Sequence, residues 1–598
     1  MKVCIAEKPS VASSIAKVLG ANRRQNGYYE GNGYQVTWTF GHLCRLKDPH
    51  EYNDDWKAWR LSRLPMIPAR YGIDLINDKA VKTQFKVIKS LFEKACMIIN
   101  CGDAGQEGEL IQRWVMELAG AKCPVKRLWI SSLTEAAIRQ GFQSLHDQRE
   151  YDSLYQAGLA RAEGDWLLGM NATRLYTIKY GGFNQLLSIG RVQTPTLSMI
   201  VDRDKEIEHF IPEKYWLLST MYRHVTFQSL KGQISSEQEA QSLLAKLKQQ
   251  PLLYIKDVCV RKGSEQPPQL YDLTSLQMDC NRKYGMSAEQ TLRNIQSLYE
   301  KKLTTYPRVD TKYLTDDLYA QCPPILKRLS SVYPFVNPVN EKPLLKSKRV
   351  FDNSKVADHH AIIPTGETDS LDTINPYERK VYELVVRRFC GVFLPDCEYN
   401  QTIVLASTGD MDFKATGRTI LTEGWRNLYA KGHDEDENED SDTPDTLPHF
   451  VVGERGEHQP SITLKWTATP KHYTEATLLQ AMETAGKFVD DEELREAMKE
   501  NGIGRPSSRS GIIETLLKRG YVKREKKALI STTTGKDLME IIQSQLLKSP
   551  ELTGQWEKKL RDIEHGHYTL PAFMNELEQQ LRRIIDEVKA DTSDRKVI

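Results

Sequence analysis

A tyrosine and an arginine separated by one proline are the residues of this chain best suited to phosphodiester chemistry. Tyr306 precedes Pro307, whose ring disfavours the helical conformation for the residue before it and keeps that residue extended. In an extended segment, Arg308 points to the same side as Tyr306. The phenol could then attack a phosphodiester while the guanidinium neutralises the phosphate charge. The alternative is a tyrosine at an ordinary junction between a helix and a loop, since short motifs often match by chance.

Acidic residues follow two short apolar runs in the N-terminal part of the chain. The first run, residues 3–6, ends at Glu7 and Lys8, and the second, residues 96–99, is followed by Asp103 and Glu107. Converging carboxylates repel one another unless a hard cation holds them, and Mg²⁺ prefers one or two carboxylates together with phosphate oxygens. We therefore predict a magnesium site at Glu7, Asp103 and Glu107. The alternative is that these acids cap the helices that follow them.

The elements that must position these acids are buried strands with crossover helices. Each apolar run has the pattern of a buried parallel strand, and helical patterns follow over 11–19 and from about Glu109. Ligands of such sheets bind beyond the carboxyl ends of the strands. Both acidic segments are therefore expected at the same edge of one sheet.

A helix is also predicted directly before the tyrosine. It begins with a capping box formed by Ser287 and Gln290, and its apolar face carries Leu292, Ile295 and Tyr299. Such a helix would hold the loop of the nucleophile rigidly.

Composition indicates a large protein that could bind a phosphate backbone. The 598 residues are 40% hydrophobic, enough for several domains. Net charge is +2, but residues 434–445 hold eight acids and no base, so the rest of the chain carries +10. We interpret the acidic run as a solvated loop. Ten cysteines without a Cys-x-x-Cys pair argue against a zinc ribbon or a disulfide framework.

The cellular location is predicted from targeting and membrane signals that we do not find in the sequence. We find no signal peptide and no apolar run of the roughly 20 residues that a membrane helix needs. The scattered cysteines suit a reducing compartment. We expect a cytoplasmic protein without a membrane partner, associated with the nucleoid if the source is bacterial.

Several motifs, taken in order, resemble those of type IA DNA topoisomerases, most closely the topoisomerase III branch. They extend over roughly residues 1 to 540. The most specific are Glu7-Lys8-Pro9-Ser10, Asp103-Ala104-Gly105-Gln106-Glu107-Gly108-Glu109, Ser188-Ile189-Gly190-Arg191-Val192-Gln193-Thr194, Tyr306-Pro307-Arg308 and Asp358-His359-His360-Ala361. The first two resemble the Toprim domain of that family, and the third resembles its strand-binding segment.

The resemblance implies a role for each matching residue. Tyr306 would become joined to a 5′ phosphate that Arg308 and His359 contact. Lys8 would act near the leaving 3′ oxygen, and Glu7 would position that end and bind Mg²⁺ with Asp103. The residues implied in strand binding are Arg161, Asp165, Ser188, Gly190, Arg191, Gln193 and Thr194. Arg161 and Asp165 also lie four residues apart, a spacing that equally fits a surface ion pair.

The chain departs from the family pattern at two adjacent positions. The pattern is Asp-x-Asp-x-Glu with an arginine before the glutamate, whereas this chain has Gly105 in place of the second acid and Gln106 in place of the arginine. We expect weaker magnesium binding as a result. Gly105→Asp alone should then tighten the metal yet could slow cleavage, because Gln106 cannot compensate the added charge, and Gly105→Asp with Gln106→Arg should recover cleavage.

The resemblance also implies an architecture: a multidomain α/β and α+β protein with an N-terminal Toprim domain and a toroidal core of discontinuous domains. The predicted domains are 1–150 (Toprim), 151–212 with 466–598 (winged-helix-like, DNA-binding), 213–272 with 396–465 (hinge, carrying the acidic loop) and 273–395 (nucleophile). A helix over 508–520 with flanking arginines and lysines would belong to the DNA surface, or would be an ordinary core helix with a basic face.

The leading functional hypothesis is an ATP-independent topoisomerase that cuts, passes and reseals single strands. No Gly-x-x-x-x-Gly-Lys-Ser/Thr motif is present. Single-stranded or underwound DNA is the expected partner, with a helicase as a further partner. The alternatives are a Toprim nuclease or primase that uses Glu7 and Asp103 without Tyr306, and a non-catalytic single-strand DNA-binding protein.

Overall fold

The computed structural model describes residues 1–340, 343–356, 358–429, 446–489, 492–498 and 502–597. The predicted acidic loop at 434–445 lies outside the described residues. Within the described part, no helix is long and apolar enough to cross a membrane.

The N-terminal part is a seven-stranded sheet whose centre is parallel, as predicted. Its strands, in spatial order, are Arg23–Gln25, Tyr28–Gly31, Tyr34–Trp38, Lys2–Ala6, Met97–Cys101, Val125–Arg127 and His146–Asp147. The four strands from Tyr34–Trp38 to Val125–Arg127 are mutually parallel, and Ala6 pairs with Cys101. The carboxyl ends of strands Lys2–Ala6 and Met97–Cys101 therefore lie side by side. This brings Glu7 and Asp103 to the same edge of the sheet.

Helices cover both faces of this sheet, because the strand side chains alternate between two apolar layers. Val3 and Ile5 pack with helices Lys79–Phe92 and Gln106–Ala119. Cys4 and Ala6 pack with helices Pro9–Leu19 and Glu135–Gln143. The smaller elements here are strands Cys44–Leu46 and Ile73–Leu75, helix Pro49–Tyr52, and 3-10 turns Asp54–Lys57, Leu61–Arg63 and Gln148–Tyr151.

The helix after the second strand begins at Gln106, three residues before the predicted start. The sequence expectation placed Gly108 before the helix, but a Cβ at that position would lie 2.2 Å from the Asp103 carbonyl oxygen. Gly108 is therefore needed for a close backbone approach inside the first helical turn. Glu107 and Glu109 also lie in that turn, where acidic side chains favour a helix N-terminus.

A mainly helical part combines the middle and the end of the chain in one hydrophobic core. The 29-residue helix Asp152–Tyr180 and the helix Gln193–Glu208 pack there against C-terminal residues such as Trp556 and Leu581. The C-terminal helices are Glu475–Glu483, Glu492–Met498, Pro506–Lys518, Thr533–Ile541, Gln545–Lys548, Glu551–Glu564 and Leu570–Ala590. Strands Val522–Glu525 and Ala528–Ser531 form an antiparallel hairpin after Pro506–Lys518, the order of elements in a winged helix.

A second seven-stranded sheet is entirely antiparallel. Its strands, in spatial order, are Arg455–Glu457, Leu252–Glu265, Cys397–Thr408, Met411–Thr422, Val225–Ile234, Lys214–Tyr222 and Gln459–Trp466. Helix Glu237–Lys248 covers it, and its buried residues form a separate core with Phe227 and Phe413.

The tyrosine lies in a compact helical part with its own core. Its helices are Leu273–Tyr284, Ala288–Glu300, Cys322–Leu329, Asn337–Asn340 and Pro376–Gly391, with 3-10 turns Asp316–Gln321, Pro334–Val336, Asn353–Lys355 and Leu371–Thr373; further turns are Gly424–Leu428 and Ala485–Phe488. The capping box of Ser287 and Gln290 is present. Ile295 is buried as predicted, whereas the Tyr299 hydroxyl reaches Ser10 of the N-terminal part, with 2.6 Å between the oxygens. The exact domain boundaries stay a prediction.

Candidate active site

The predicted site residues gather around one open cavity of about 1150 Å³. Small-molecule pockets measure roughly 300–1,000 Å³, so this volume suits a larger ligand. The predicted residues on its lining are Glu7, Lys8, Asp103, Glu107, Arg161, Asp165, Gly190, Arg191, Gln193, Tyr306, Arg308 and His359. The cavity therefore brings together parts of the chain that are far apart in sequence.

Tyr306 is held in place by backbone pairing on one side and ring contacts on the other. Thr304 forms a β-bridge with Pro364, and the Thr305 N–H donates to the Ile363 carbonyl at 2.9 Å. The ring centroids of Tyr306 and His359 are 4.5 Å apart, and Lys8 Nζ lies 3.7 Å from the Tyr306 ring centroid. Burial raises the pKa of Tyr306 even though Lys8 opposes the shift, so the phenol keeps its proton in this DNA-free form.

The Asp103 carboxylate is the meeting point of the Lys8 ammonium group and the His359 imidazole. Its Oδ2 atom accepts hydrogen bonds from Lys8 Nζ at 2.6 Å and from His359 Nε2 at 2.8 Å. Burial alone would raise the pKa of Asp103, but His359 and Lys8 outweigh it and hold the pKa well below its usual range. Asp103 is therefore ionised, and the predicted contact of His359 with phosphate would replace one to this carboxylate.

Glu7 lies beside this group in a different electrostatic state. It is 7% exposed, its Oε1 atom lies 3.3 Å from Lys8 Nζ, and its Oε2 atom accepts a weak bond from the Asp103 N–H at 3.4 Å. Burial and the charge of Asp103 raise the pKa of Glu7 to about 7, against the opposing effect of Lys8. Glu7 can therefore gain or lose a proton near neutral pH. The pKa of Lys8 is raised because Asp103 and Glu7 outweigh burial, so its ammonium group stays charged.

Glu107 bonds to other partners in this structure, so its predicted supporting role in the magnesium site stays a prediction. Its carboxylate hydrogen-bonds to His42 and lies 4.0 Å from Arg505 Nη1. Burial raises the pKa of Glu107, but His42 and Arg505 outweigh that effect and lower it overall. The residues His42 and Arg505 were not predicted, because neither belongs to a motif that the sequence brings near Glu107.

The predicted strand-binding residues form a charged network centred on Glu557. Arg161 donates to both oxygens of Glu557 at 2.7 and 2.8 Å, and Arg191 Nη1 donates to it at 3.2 Å. Arg191 also donates to Asp165 at 3.0 Å, so Arg161 and Asp165 are not an ion pair with each other. The two arginines hold the pKa of Glu557 at about 2 despite its burial. Glu557 was missed because it lies in a helix without a recognisable motif.

Two predicted strand-binding residues, Ser188 and Thr194, stabilise the loop around Gly190 and do not line the cavity. Thr194 is 2% exposed and its hydroxyl accepts the Gly190 N–H at 3.1 Å. Ser188 Oγ accepts from Gln193 Nε2 at 2.6 Å, and its N–H donates to the Tyr521 hydroxyl at 2.8 Å. Both therefore shape the loop, and direct contact of these two residues with DNA stays a prediction.

Comparison with known proteins identifies the family. Residues 149–575 match a family model described as DNA topoisomerase, and residues 2–133 match the Toprim domain. The chain belongs to the DNA topoisomerase family. It is 38% identical over 608 residues to the DNA topoisomerase 3 of Bacillus cereus, covering 99% of this chain and 82% of that protein. With the DNA topoisomerase 3 of Bacillus subtilis it is 38% identical over 603 residues, covering 98% and 82%.

A solved structure shows the same fold. The full-length topoisomerase I of Thermotoga maritima aligns with a TM-score of 0.70 at 23% identity, covering 98% of this chain and 90% of that one. The predicted type IA family, its topoisomerase III branch and the multidomain fold with an N-terminal Toprim domain are thereby confirmed.

In this topoisomerase, Gly105 and Gln106 are matched by residues from other parts of the chain. A Cβ on Gly105 would lie 2.5 and 2.6 Å from the two carboxylate oxygens of Asp358. The Gln106 side-chain oxygen accepts from Arg505 at 3.0 Å and from Arg161 at 3.4 Å. The expectation that Gly105→Asp and Gln106→Arg would repair the site stays a prediction, and this geometry weighs against it. The first adds a carboxylate against Asp358, and the second adds a guanidinium beside two others.

The basic helix Pro506–Lys518 is only partly a DNA surface. Arg509 is 1% exposed and donates to the Thr274 hydroxyl at 2.9 Å and to the Gly504 carbonyl at 3.1 Å. Arg524 pairs with Glu475 and Glu514. These two arginines are structural, whereas Lys518, Arg519 and Lys523 are exposed.

A cation at the acids of this topoisomerase would need ligands beyond the described side chains. Within the described ranges, no three His, Cys, Asp or Glu side chains lie close enough to hold a metal ion by themselves. Burial raises the pKa of Glu7 to about 7 and that of Asp358 to about 6, so the ionised form of each carboxylate is disfavoured there. A divalent cation would stabilise the ionised forms, and Mg²⁺ commonly takes its remaining ligands from phosphate.

Proposed function

We propose that this topoisomerase cuts one DNA strand with Tyr306, passes another strand through the break and reseals it without ATP. The observation that carries the proposal is the contact of Tyr306 with Lys8 and His359, at 3.7 Å from Nζ to the ring centroid and 4.5 Å between ring centroids. Lys8 belongs to the Toprim part, and Tyr306 packs against the helical core that begins at Leu270 and includes Cys390 and Leu428. Cutting can therefore occur only when these parts touch, and strand passage requires them to separate.

The chemical step conserves protons and bond energy. Attack by Tyr306 Oη forms an O–P bond to the 5′ phosphate and breaks the bond from phosphorus to the 3′ oxygen. The phenol loses one proton and the 3′ oxygen gains one, so the exchange is balanced. The phosphotyrosine link keeps the energy of the phosphodiester, and the reverse reaction reseals the strand without a further energy source.

Four side chains have defined roles in this step. The Lys8 ammonium group lies between Glu7 and Asp103. It would donate a proton to the leaving 3′ oxygen. Arg308 is exposed on the cavity lining and would neutralise the phosphate. His359 would exchange its bond with Asp103 for one with a phosphate oxygen. Glu7, whose pKa is about 7, would orient the 3′ end and take up the phenol proton.

A single strand would bind along the cavity through Arg161, Arg191 and the loop that contains Gly190 and Gln193. The two arginines are now neutralised by Glu557, and DNA phosphates would compete for them. Such contacts read the backbone of a single strand and not the groove of a duplex. The substrate should therefore be single-stranded or underwound DNA.

Magnesium would bind at Glu7 and Asp103, with Glu107 in support. Asp103 N–H lies 3.4 Å from Glu7 Oε2, so the two acids are neighbours, while Glu107 would have to leave His42. The cation would screen phosphate charge during cutting and resealing. A helicase partner and a cytoplasmic, nucleoid-associated location stay predictions from the sequence.

The test is to trap the covalent adduct with a matched tyrosine control. A single-stranded oligonucleotide is labelled at its 3′ end in one sample and at its 5′ end in another, and each mixture with the enzyme is denatured. The wild type should retain the 3′-labelled fragment, Tyr306→Phe should retain none, and Tyr299→Phe should form the adduct. Tyr299 is the right control because its ring centroid lies 5.5 Å from that of Tyr306.

Three outcomes would contradict the proposal. Retention of the 5′-labelled fragment would reverse the polarity of attack. An adduct formed by Tyr306→Phe would remove Tyr306 as nucleophile. Cutting without any adduct would indicate a nuclease that uses the acidic residues alone.

A further inference from the structure

Position 105 is a glycine for reasons of space and not of backbone shape. Gly105 has φ −168° and ψ 177°, an extended conformation that any residue adopts. A Cβ atom there would, however, meet both oxygens of Asp358, at 2.5 and 2.6 Å. The missing side chain therefore leaves room for a carboxylate that comes from elsewhere in the chain.

Asp358 comes from the part of the molecule that carries the nucleophile. Two residues after His359, the Ala361 N–H donates to the Tyr313 carbonyl at 2.9 Å, and Ala361 is buried in the same core as Leu303. Two consecutive side chains thus cross to the Toprim part. His359 reaches Asp103 at 2.8 Å, and Asp358 rests on the backbone of Gly105.

No hydrogen bond or ion pair explains the position of the Asp358 carboxylate. It forms neither with any residue in the described ranges, although it lines the cavity beside Asp103. A half-buried carboxylate without a hydrogen-bond donor is costly. A residue that only held the two parts together would have a donor opposite it. The Asp358 carboxylate instead faces the backbone of Gly105, next to the acids of the Toprim part.

We propose that Asp358 is a cation-binding carboxylate that the nucleophile-bearing part delivers to the Toprim acids, and that Gly105 keeps its place open. The cation site is then shared between two parts of the chain and is complete only when they touch. Cation binding and closure of the contact favour each other, because ligand binding stabilises the state that binds it. This inference rests on the proposed magnesium site at Glu7 and Asp103.

The test measures cation affinity directly and does not depend on turnover; it is run on the protein alone and with a single-stranded oligonucleotide. Mn²⁺ is titrated into the full chain and free Mn²⁺ is followed by electron paramagnetic resonance. Asp358→Asn keeps the shape of the side chain and removes its charge. Gly105→Ala keeps the carboxylate and pushes it away. Glu367→Gln is the control, because Glu367 belongs to the same part of the chain but pairs with Arg328 at 3.2 Å on an exposed surface.

We expect Mn²⁺ affinity to fall at least fivefold in Asp358→Asn and in Gly105→Ala, and to stay within twofold of wild type in Glu367→Gln. Unchanged affinity in Asp358→Asn overturns the inference and leaves the Glu7–Asp103 site standing. If Asp358→Asn does not fold, unchanged affinity in Gly105→Ala has the same meaning. Absence of Mn²⁺ binding by the wild type, both alone and with a single-stranded oligonucleotide added, refutes the magnesium site itself, and the inference with it.

Discussion

Placing an aspartate at position 105, as the family pattern has it, should open the contact between the Toprim part and the nucleophile. A Cβ at Gly105 would lie 2.5 Å from an Asp358 oxygen, whereas ordinary contacts begin at 3.4 Å. Asp358 must therefore retreat by about 0.9 Å, the difference between those two distances. The carboxylate that Gly105→Asp adds would then lie against that of Asp358.

The free-energy cost of Gly105→Asp is set by the least costly way to relieve the repulsion between the two carboxylates. Two carboxylates about 4 Å apart repel by roughly 4 kcal/mol at an effective dielectric constant of about 20. Protonation of Asp358 relieves this repulsion, and burial has already raised its pKa to about 6. At pH 7 that proton costs about 1.4 kcal/mol, which is about tenfold in the opening equilibrium. The penalty should double to about 2.7 kcal/mol at pH 8 and vanish below pH 6.

The assay is hydrogen exchange of the full chain in EDTA, without DNA. Peptides that cover residues 103–110 and 358–365 report the contact once exchange rates are corrected for intrinsic pH dependence. Gly105→Asp should lose about tenfold in protection at pH 7 and about a hundredfold at pH 8. Gly105→Asn supplies the same bulk without charge, so its loss should not change with pH. An equal, pH-independent loss in both variants would refute the electrostatic reasoning.

Three further predictions concern the surroundings of the site. Gln106→Arg should cost about 2 kcal/mol in unfolding free energy, because two arginines lose their acceptor; chemical denaturation measures the loss. Glu7→Gln should raise the melting temperature at pH 8 but not at pH 4: the folded pKa of about 7 exceeds the unfolded one, so stability is lost as pH rises through it. Lys518→Ala with Arg519→Ala should lower the salt slope of single-strand binding by about 1.4, and Arg509→Met should reduce stability while leaving that slope unchanged.

Local patterns were enough to predict what each strand and helix carries. Glu7 and Asp103 were placed correctly because the carboxyl ends of adjacent parallel strands must meet at one edge. The same reasoning misjudged Tyr299, because the helical period assigns the ring to the apolar face but does not show where its hydroxyl goes. It also misjudged Arg509, since a basic residue near a helix start is usually exposed, and here it satisfies a buried carbonyl instead.

Contacts between distant segments could not be predicted from such patterns. Glu557 and Arg161 are 396 residues apart, and no periodicity connects them. Asp358 was visible only as part of a motif, and nothing in that motif indicated that its carboxylate would fill the space above Gly105. Pairings of this kind depend on how folded parts dock, which the local preference of each segment does not encode.

The two departures from the family pattern are each matched by a charged residue from another part of the chain. Gly105 lacks an acid, and Asp358 brings one to the same place from the nucleophile's side. Gln106 lacks a guanidinium, and Arg505 brings one from the C-terminal helices, with Nη2 at 3.0 Å from the glutamine oxygen. At both positions, the charge that the Toprim part lacks is supplied by a residue from another part of the chain. The electrostatics of the site therefore depend on contact between these parts. A centre built in this way is complete only in the closed molecule, where cutting is safe because the broken ends cannot yet separate.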